Sequence, residues 1–309
     1  GFFLFRGRLE IRKILSSLTQ TMPTYRHKPV SSYGQKINSI GEGGYGQVSL
    51  TSEGYVVKEI FHDDYDDIIK QSTLNEIVAL TQINSSYVIP LIDVALSENK
   101  TDLVLPLAKE TLTYVMGNPS LDLASIGRQI GLGLIDIHNS SFSHLDLKPD
   151  NILLHNYSSL QNAQVWLADL GLAKIHLCSL HPFYDLAFSD RYRPPELELR
   201  GPITDKADVW AFGVILVELL LSRHFGYRYK LFRGRSDSSQ NSVDDDQTII
   251  EHLVSIFSLL GTPSYTSSLR TLRDWSDYGD VIATNYKRKL RSTLEGYGLS
   301  EEEIDLVDS

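Results

Sequence analysis

With 309 residues, 42% of them hydrophobic and 22% charged, the chain can build two packed units or one large domain, and no run nears the roughly 18 apolar residues of a membrane span. Thirty-nine acidic against 29 basic side chains give a formal charge of −10, the wrong sign for wrapping a phosphate backbone, so nucleic acid is not the expected ligand. The single cysteine, Cys178, allows no internal disulfide and fits a reducing compartment, cytoplasm or nucleus.

The apolar opening Gly1-Phe2-Phe3-Leu4-Phe5 is too short for a signal-peptide core and runs into charges, so residues 1–32 read as an N-terminal extension, native or appended. From there to residue 107, short β-type runs follow one another: Val48-Ser49-Leu50, Tyr55 to Ile60, Val88 to Val94, and Asp102 to Leu107. One helical stretch, Asp66 to Gln82, interrupts them. Beyond about residue 111 the spacing turns helical, most clearly in Leu121 to His138 and Lys206 to Leu221. The polar, acidic segment 236–246 reads as a mobile surface insert. The pattern predicts an α+β chain, with a small β-rich unit over 33–107 and a larger helical unit over 108–309.

Four motifs carry chemistry. In Gly41-Glu42-Gly43-Gly44-Tyr45-Gly46-Gln47-Val48 the glycines let backbone N–H groups approach phosphate oxygens. An isolated match is a ligand-free hairpin about half the time, but here strands flank it, where a dinucleotide fold would need a helix. Lys58 ends the next apolar strand, and Glu76 on the following helix is a candidate partner for it. In His144-Leu145-Asp146-Leu147-Lys148-Pro149-Asp150-Asn151, Asp146 can accept a hydroxyl proton, Lys148 can offset phosphate charge and Asn151 can ligate a metal. Ala168-Asp169-Leu170-Gly171 adds a second oxygen ligand, and hard oxygens suit Mg²⁺.

With these four motifs in fixed order, the chain resembles the eukaryotic protein kinases over residues 33–309. The resemblance implies the two-lobed kinase fold, ATP and Mg²⁺ as cofactors, and a protein substrate. By it, Gly41, Gly43 and Gly46 cover the ATP phosphates, Lys58 contacts the α- and β-phosphates and pairs with Glu76, Asp146 is the base, and Asn151 and Asp169 hold Mg²⁺. Lys148 resembles the serine/threonine-specific form. Arg193-Pro194-Pro195-Glu196 closes an activation segment, and Asp208-Val209-Trp210 opens a helix that braces the catalytic loop. Within the family the chain is most similar to the cyclin-dependent branch, on Leu91-Ile92-Asp93-Val94, Ser97-Glu98-Asn99-Lys100, Tyr192-Arg193-Pro194-Pro195-Glu196 and Leu260-Gly261-Thr262-Pro263. That alignment implies Leu105 as gatekeeper, Leu107 and Ala108 as adenine hinge, and Ile40, Val48, Val56 and Leu153 as the residues sandwiching the base. Ser189 would orient the acceptor hydroxyl, and Arg193 fits the proline-directed branches.

The departures are informative. A phosphate that orders an activation loop needs several cations around it. Leu145, Asn75 and Lys174 stand where cyclin-dependent kinases have arginines, and Tyr184 aligns with the activating phosphothreonine. A kinase needing no phosphate there is expected. The helix around Lys70-Gln71-Ser72-Thr73-Leu74-Asn75-Glu76-Ile77 is only loosely like a cyclin-binding helix, so a monomer without cyclin is expected. The combination resembles the monomeric fungal kinases that phosphorylate the activation loop of a cyclin-dependent kinase. Leu170 replaces the usual Phe and is expected to fill the same apolar slot beside His144 and Leu80. The sequence stops before the arginine that pairs with Glu196 in the family, with Arg288 and Arg291 in an unrelated context, so a truncated second lobe is expected. The nine histidines show no zinc spacing, His144 reads as a core residue, and Cys178 as an unmodified thiol. The rival to an enzyme is a kinase-like scaffold holding a partner, which would have no use for both metal ligands.

Overall fold

The computed structural model describes residues 29–43, 46–61, 71–97, 99–175, 189–232, 245–264, 266–282 and 285–308. Cys178, Tyr184, residues 66–70 of the expected first helix and residues 236–244 of the acidic segment lie outside them. Among the described residues no helix is long and apolar enough to cross a membrane.

Strands β1 (Lys36–Gly43), β2 (Gly46–Thr51), β3 (Tyr55–Phe61), β4 (Asp93–Leu96) and β5 (Lys100–Pro106) form one antiparallel sheet in the order β1-β2-β3-β5-β4. The β-branched Val56, Val57 and Ile60 of central β3 are all buried, as a strand paired on both edges and covered by a helix requires. That helix, α1 (Gln71–Gln82), lays Ile77 against Ile60, Val94 and Leu103, while Ala79 and Leu80 face the main core.

The sequence predicts a strand over Val88 to Val94, but the ladder begins at Asp93, paired with Val104. Pro90 cannot donate to a ladder. The preceding segment instead bridges to the second lobe: Ile89 N–H donates to Leu167 O at 3.0 Å and Leu167 N–H to Tyr87 O at 2.7 Å. Val88 and Ile89 are buried beside this bridge, while Ile92 already donates its N–H to Val104 O of β5 at 2.9 Å.

The second lobe runs β6 (Glu110–Thr111), α2 (Leu112–Val115), α3 (Leu123–Asn139), β7 (Phe142–Ser143), β8 (Ile152–His155), β9 (Gln164–Leu167) and β10 (Lys174–Ile175). It continues through α4 (Pro195–Glu198), α5 (Lys206–Phe225), α6 (Asp245–Leu260), α7 (Trp275–Ile282), α8 (Leu290–Gly296) and α9 (Glu301–Asp308). Asp122 caps α3 by accepting from Ser125 N–H at 3.0 Å, and Ile126, Ile130, Leu134 and Ile137 make its buried stripe. Helix α5 is buried along most of its length and stops at Gly226, whose φ of 73° is the left-handed C-cap. Positions 245 and 246, read from sequence as part of the acidic insert, instead open α6.

One apolar cluster runs through both lobes, joining Val56, Leu80 and Leu105 to Leu147, Leu154, Leu167 and Leu170. Leu170, expected to fill an apolar slot, is fully buried in this cluster, which also contains Leu80. Strand β3, helix α1 and the loops around β7 to β10, all anchored to this common core, hold the polar residues of the site.

Candidate active site

Lys58 lies at the centre of β3, between Val48 on β2 and Leu103 on β5. Its Nζ is 2.9 Å from both carboxylate oxygens of Glu76 on α1 and 2.9 Å from Oδ1 of Asp169, which follows β9. Burial disfavours an ammonium, but the two carboxylates outweigh it and raise Lys58 above its ordinary value. Asp169 is held below the usual carboxylate range, with burial opposing and Lys58 prevailing. Burial pushes the Glu76 carboxyl up, and the charge and hydrogen bond of Lys58 oppose that shift.

The glycine hairpin pairs Gly41 with Val48 and Gly43 with Gly46; Gly44 and Tyr45 at its tip lie outside the described residues. Gly46 has φ 142°, and a Cβ on it would stand 1.8 Å from the carbonyl oxygen of Glu59. The sheet itself thus demands that glycine. Gly41 is different: a Cβ there would meet nothing closer than Val48 at 3.8 Å, so its smallness leaves open the face where a ligand would lie.

Below the sheet, Asp208 at the start of α5 accepts the backbone N–H groups of His144 and Leu145, and so fixes the loop that presents Asp146. Ser189 donates to Oδ1 of Asp146 from its hydroxyl at 2.7 Å and its backbone N–H at 3.2 Å. Lys148 Nζ donates at 2.8 Å to both Asp146 Oδ2 and Ser189 Oγ. Asn151 Nδ2 donates to the carbonyl and to Oδ2 of Asp146, at 2.8 and 3.0 Å. Four sequence-predicted residues thus share one hydrogen-bonded cluster, and three others share the Lys58 cluster.

The arrangement of donors fits a hard cation. Asn151 uses its amide nitrogen on Asp146, leaving its oxygen as a ligand, and Asp169 gives one oxygen to Lys58 and keeps the other. A cation such as Mg²⁺, which keeps water and phosphate oxygens for most of its shell, suits so sparse a set. No closed cage of three His, Cys, Asp or Glu occurs among the described residues.

The apolar residues expected around a base divide by depth. Val56 and Leu105 face each other across β3 and β5 and are buried; Val48 and Leu153 pack partly buried on the same core. Ala108 is half-buried, while Ile40 and Leu107 are 51% and 46% exposed.

Sequence reasoning missed a second polar network. Glu198 on α4 is buried between Arg193, whose Nη1 donates to it at 3.1 Å, and His252 on α6, whose Nδ1 lies 2.8 Å away. Tyr192 donates to buried Glu218 on α5 at 2.8 Å, and His138 adds to Asp208 at 2.8 Å. Glu198 and His252 are 54 residues apart, and no local spacing signals such a pair. Glu196 has no cationic partner among the described residues, and burial raises its carboxyl. Arg288 and Arg291 are engaged with α9, through Asp308 for both and Glu301 for Arg291.

A glycine hairpin above a Lys–Glu–Asp trio, with a braced Asp–Lys–Asn loop beneath it on a helical lobe, defines the protein kinase class. Residues 34–295 match the protein kinase domain family, and the chain belongs to that family. It is 28% identical over 257 residues to the CTD kinase subunit alpha of Schizosaccharomyces pombe, covering 79% of this chain and 40% of that protein. It is 30% identical to the cell division control protein 2 homolog 2 of Trypanosoma brucei brucei (74% of this chain, 63% of that one). It is also 30% identical to the cyclin-dependent kinase D-1 of Arabidopsis thaliana (91% and 66%). These relatives put the chain on the cyclin-dependent side of the serine/threonine kinases, and it spans 40% to 66% of their lengths. A solved structure of the yeast RNA Pol II CTD kinase CTDK-1 complex shares the fold, with a TM-score of 0.67 and 20% identity over 91% of this chain and 87% of that one.

Proposed function

We propose that this chain transfers the γ-phosphoryl group of ATP to a serine or threonine hydroxyl of a protein. The observation that carries the reading is the pairing of two clusters on one core: Asp146 with Lys148, Asn151 and Ser189, and Lys58 with Glu76 and Asp169. Lys58, oriented by Glu76, binds the α- and β-phosphates beneath the hairpin of Gly41, Gly43 and Gly46. The adenine lies among Ile40, Val48, Val56 and Leu153, beside Leu105, with Leu107 and Ala108 supplying backbone groups. Asp146 accepts the proton of the attacking hydroxyl, which Ser189 orients, and Lys148 offsets charge on the moving phosphoryl group. Asn151 and Asp169 would hold Mg²⁺, which supplies neutralisation of phosphate charge when bound.

The finer reading is a monomer of the cytoplasm or nucleus that works without cyclin and without an activation-loop phosphate, and phosphorylates the activation loop of a cyclin-dependent kinase. Its support is the poverty of cations for a phosphate to order. Leu145 is apolar and 2% exposed, and Asn75 carries no charge, which leaves Lys174 the one cation of the three positions. The test is phosphorylation of a cyclin-dependent kinase by unphosphorylated bacterially made protein, with Mg-ATP and no cyclin. Incorporation at the activation-loop threonine supports the whole reading. Transfer to a Ser/Thr-Pro peptide alone keeps the kinase and removes that substrate, and binding of Mg-ATP without transfer to either favours a scaffold.

A further inference from the structure

The segment from Ser189 to Arg193 is a single tight turn, closed by Tyr192 N–H to Ser189 O at 3.0 Å and Arg193 N–H to Asp190 O at 3.2 Å. One end of it touches Asp146 through Ser189. The other end is tied down by side chains. Arg191 donates to the carbonyl of Phe232 at 3.0 Å, Tyr192 donates to Glu218, and Arg193 reaches both Asp190 at 3.6 Å and Glu198 at 3.1 Å.

The Arg193 anchor differs from the others in its second layer. Glu198 and His252 are each only 3% exposed in their side chains, and they meet at 2.8 Å from helices α4 and α6. A carboxylate can only accept, so Nδ1–H of His252 is the donor. Its Nε2 is buried without a hydrogen-bond partner among the described residues, which leaves the ring one polar task, holding Glu198. A carboxylate buried in this way contributes little stability beyond what an apolar side chain of similar volume would give, so its use is better sought in placement.

We propose that Glu198 and His252 are a positioning pair that holds the 189–193 turn, through Arg193, where a protein acceptor docks beside Asp146. The inference rests on the phosphotransferase reading above and deepens it: the place of α6 is transmitted to the acceptor side of the site and not to the nucleotide side, since among the described residues the side-chain polar contacts of Glu198 and His252 run to Arg193 and to each other, and those of Lys58 to Glu76 and Asp169. Loss of the pair should weaken acceptor binding and leave ATP binding alone.

The experiment is steady-state phosphorylation of a synthetic Ser-Pro peptide by the full chain, comparing wild type with Glu198→Gln and His252→Gln, together with direct ATP binding and the thermal midpoint of each. The expected result is a peptide KM raised about 5- to 20-fold in Glu198→Gln, with the ATP KM within about twofold. His252→Gln, which keeps an N–H donor toward Glu198, should move the peptide KM the same way by about 2- to 5-fold. A purely structural role would lower kcat with the folded fraction at an unchanged peptide KM, and that result in either variant overturns the proposal. Should Glu198→Gln not fold, His252→Gln decides by the same split. Wild-type protein that binds ATP and phosphorylates no acceptor overturns the phosphotransferase reading and this inference with it.

Discussion

Asp208 holds Leu145 in the left-handed backbone region: Leu145, at φ 64°, donates its N–H to Asp208 Oδ1 at 2.8 Å, while His144 N–H and His138 Nε2 share Oδ2, each at 2.8 Å. A non-glycine residue there costs about 1–2 kcal/mol, offset by charge-assisted bonds to a carboxylate that is 1% exposed. Asp208→Asn removes the charge and turns an amide N–H₂ toward a backbone donor. The expected outcome is a loss of about 3 kcal/mol in denaturant unfolding, with kcat falling further than ATP affinity. Unchanged stability would show that the loop holds itself.

Asp146→Asn tests the base. The shape and the contact with Lys148 survive, while proton acceptance is lost, so kcat should fall about 100- to 10,000-fold with ATP binding unchanged. Activity equal to wild type removes Asp146 from that role.

The Lys58 trio predicts a non-additive pair of substitutions. Lys58→Met leaves Glu76, whose side chain is 4% exposed, without its cation and should cost about 3–5 kcal/mol in the nucleotide-free protein. Adding Glu76→Gln removes the stranded charge and should recover part of that loss. A double-mutant cycle measures the coupling, and simple additivity would mean that the pair is not ionised.

Gly41 and Gly46 should fail differently. Gly46→Ala drives a methyl group into the Glu59 carbonyl at a left-handed φ and should destabilise the chain by about 2–4 kcal/mol. Gly41→Ala meets only ordinary contact with Val48 and should leave the unfolding midpoint unchanged while weakening ATP binding. Equal effects of the two on stability would refute the distinction.

Glu198 carries a pH dependence. Burial works to raise its carboxyl, but the hydrogen bond from His252 and the charge of Arg193 outweigh it and hold it below the ordinary value of 4.5. Between the folded and unfolded values the unfolded chain binds more protons, so stability rises with pH there. The stability gap between wild type and Glu198→Gln should therefore be complete above about pH 5 and shrink as the pH falls through the folded value. Urea unfolding from acid to neutral pH measures it, and a gap independent of pH would mean that Glu198 is not ionised.

The chemistry-bearing residues were legible because each motif is local. Spacing along one loop is enough to place Asp146, Lys148 and Asn151 together, and alternation along one strand to place Val56 and Lys58. Element edges were less legible: Pro90 delayed the fourth strand to Asp93, and Asp245 and Asp246 joined a helix although their charge reads as a loop. An apolar run does not reveal whether it will pack within a sheet or between lobes.

By itself, then, the amino-acid sequence determined the α+β class, the order of the motifs and the residue types that meet phosphate, cation and hydroxyl. Only the tertiary structure decided which groups meet across long separations: Lys58 with Asp169, Asp208 with Leu145, and Glu198 with His252. The reason is physical. Backbone periodicity and turn chemistry act over a few residues, whereas the partner of a buried charge is chosen by the packing of whole helices and sheets, whose apolar faces must close before any ion pair can form.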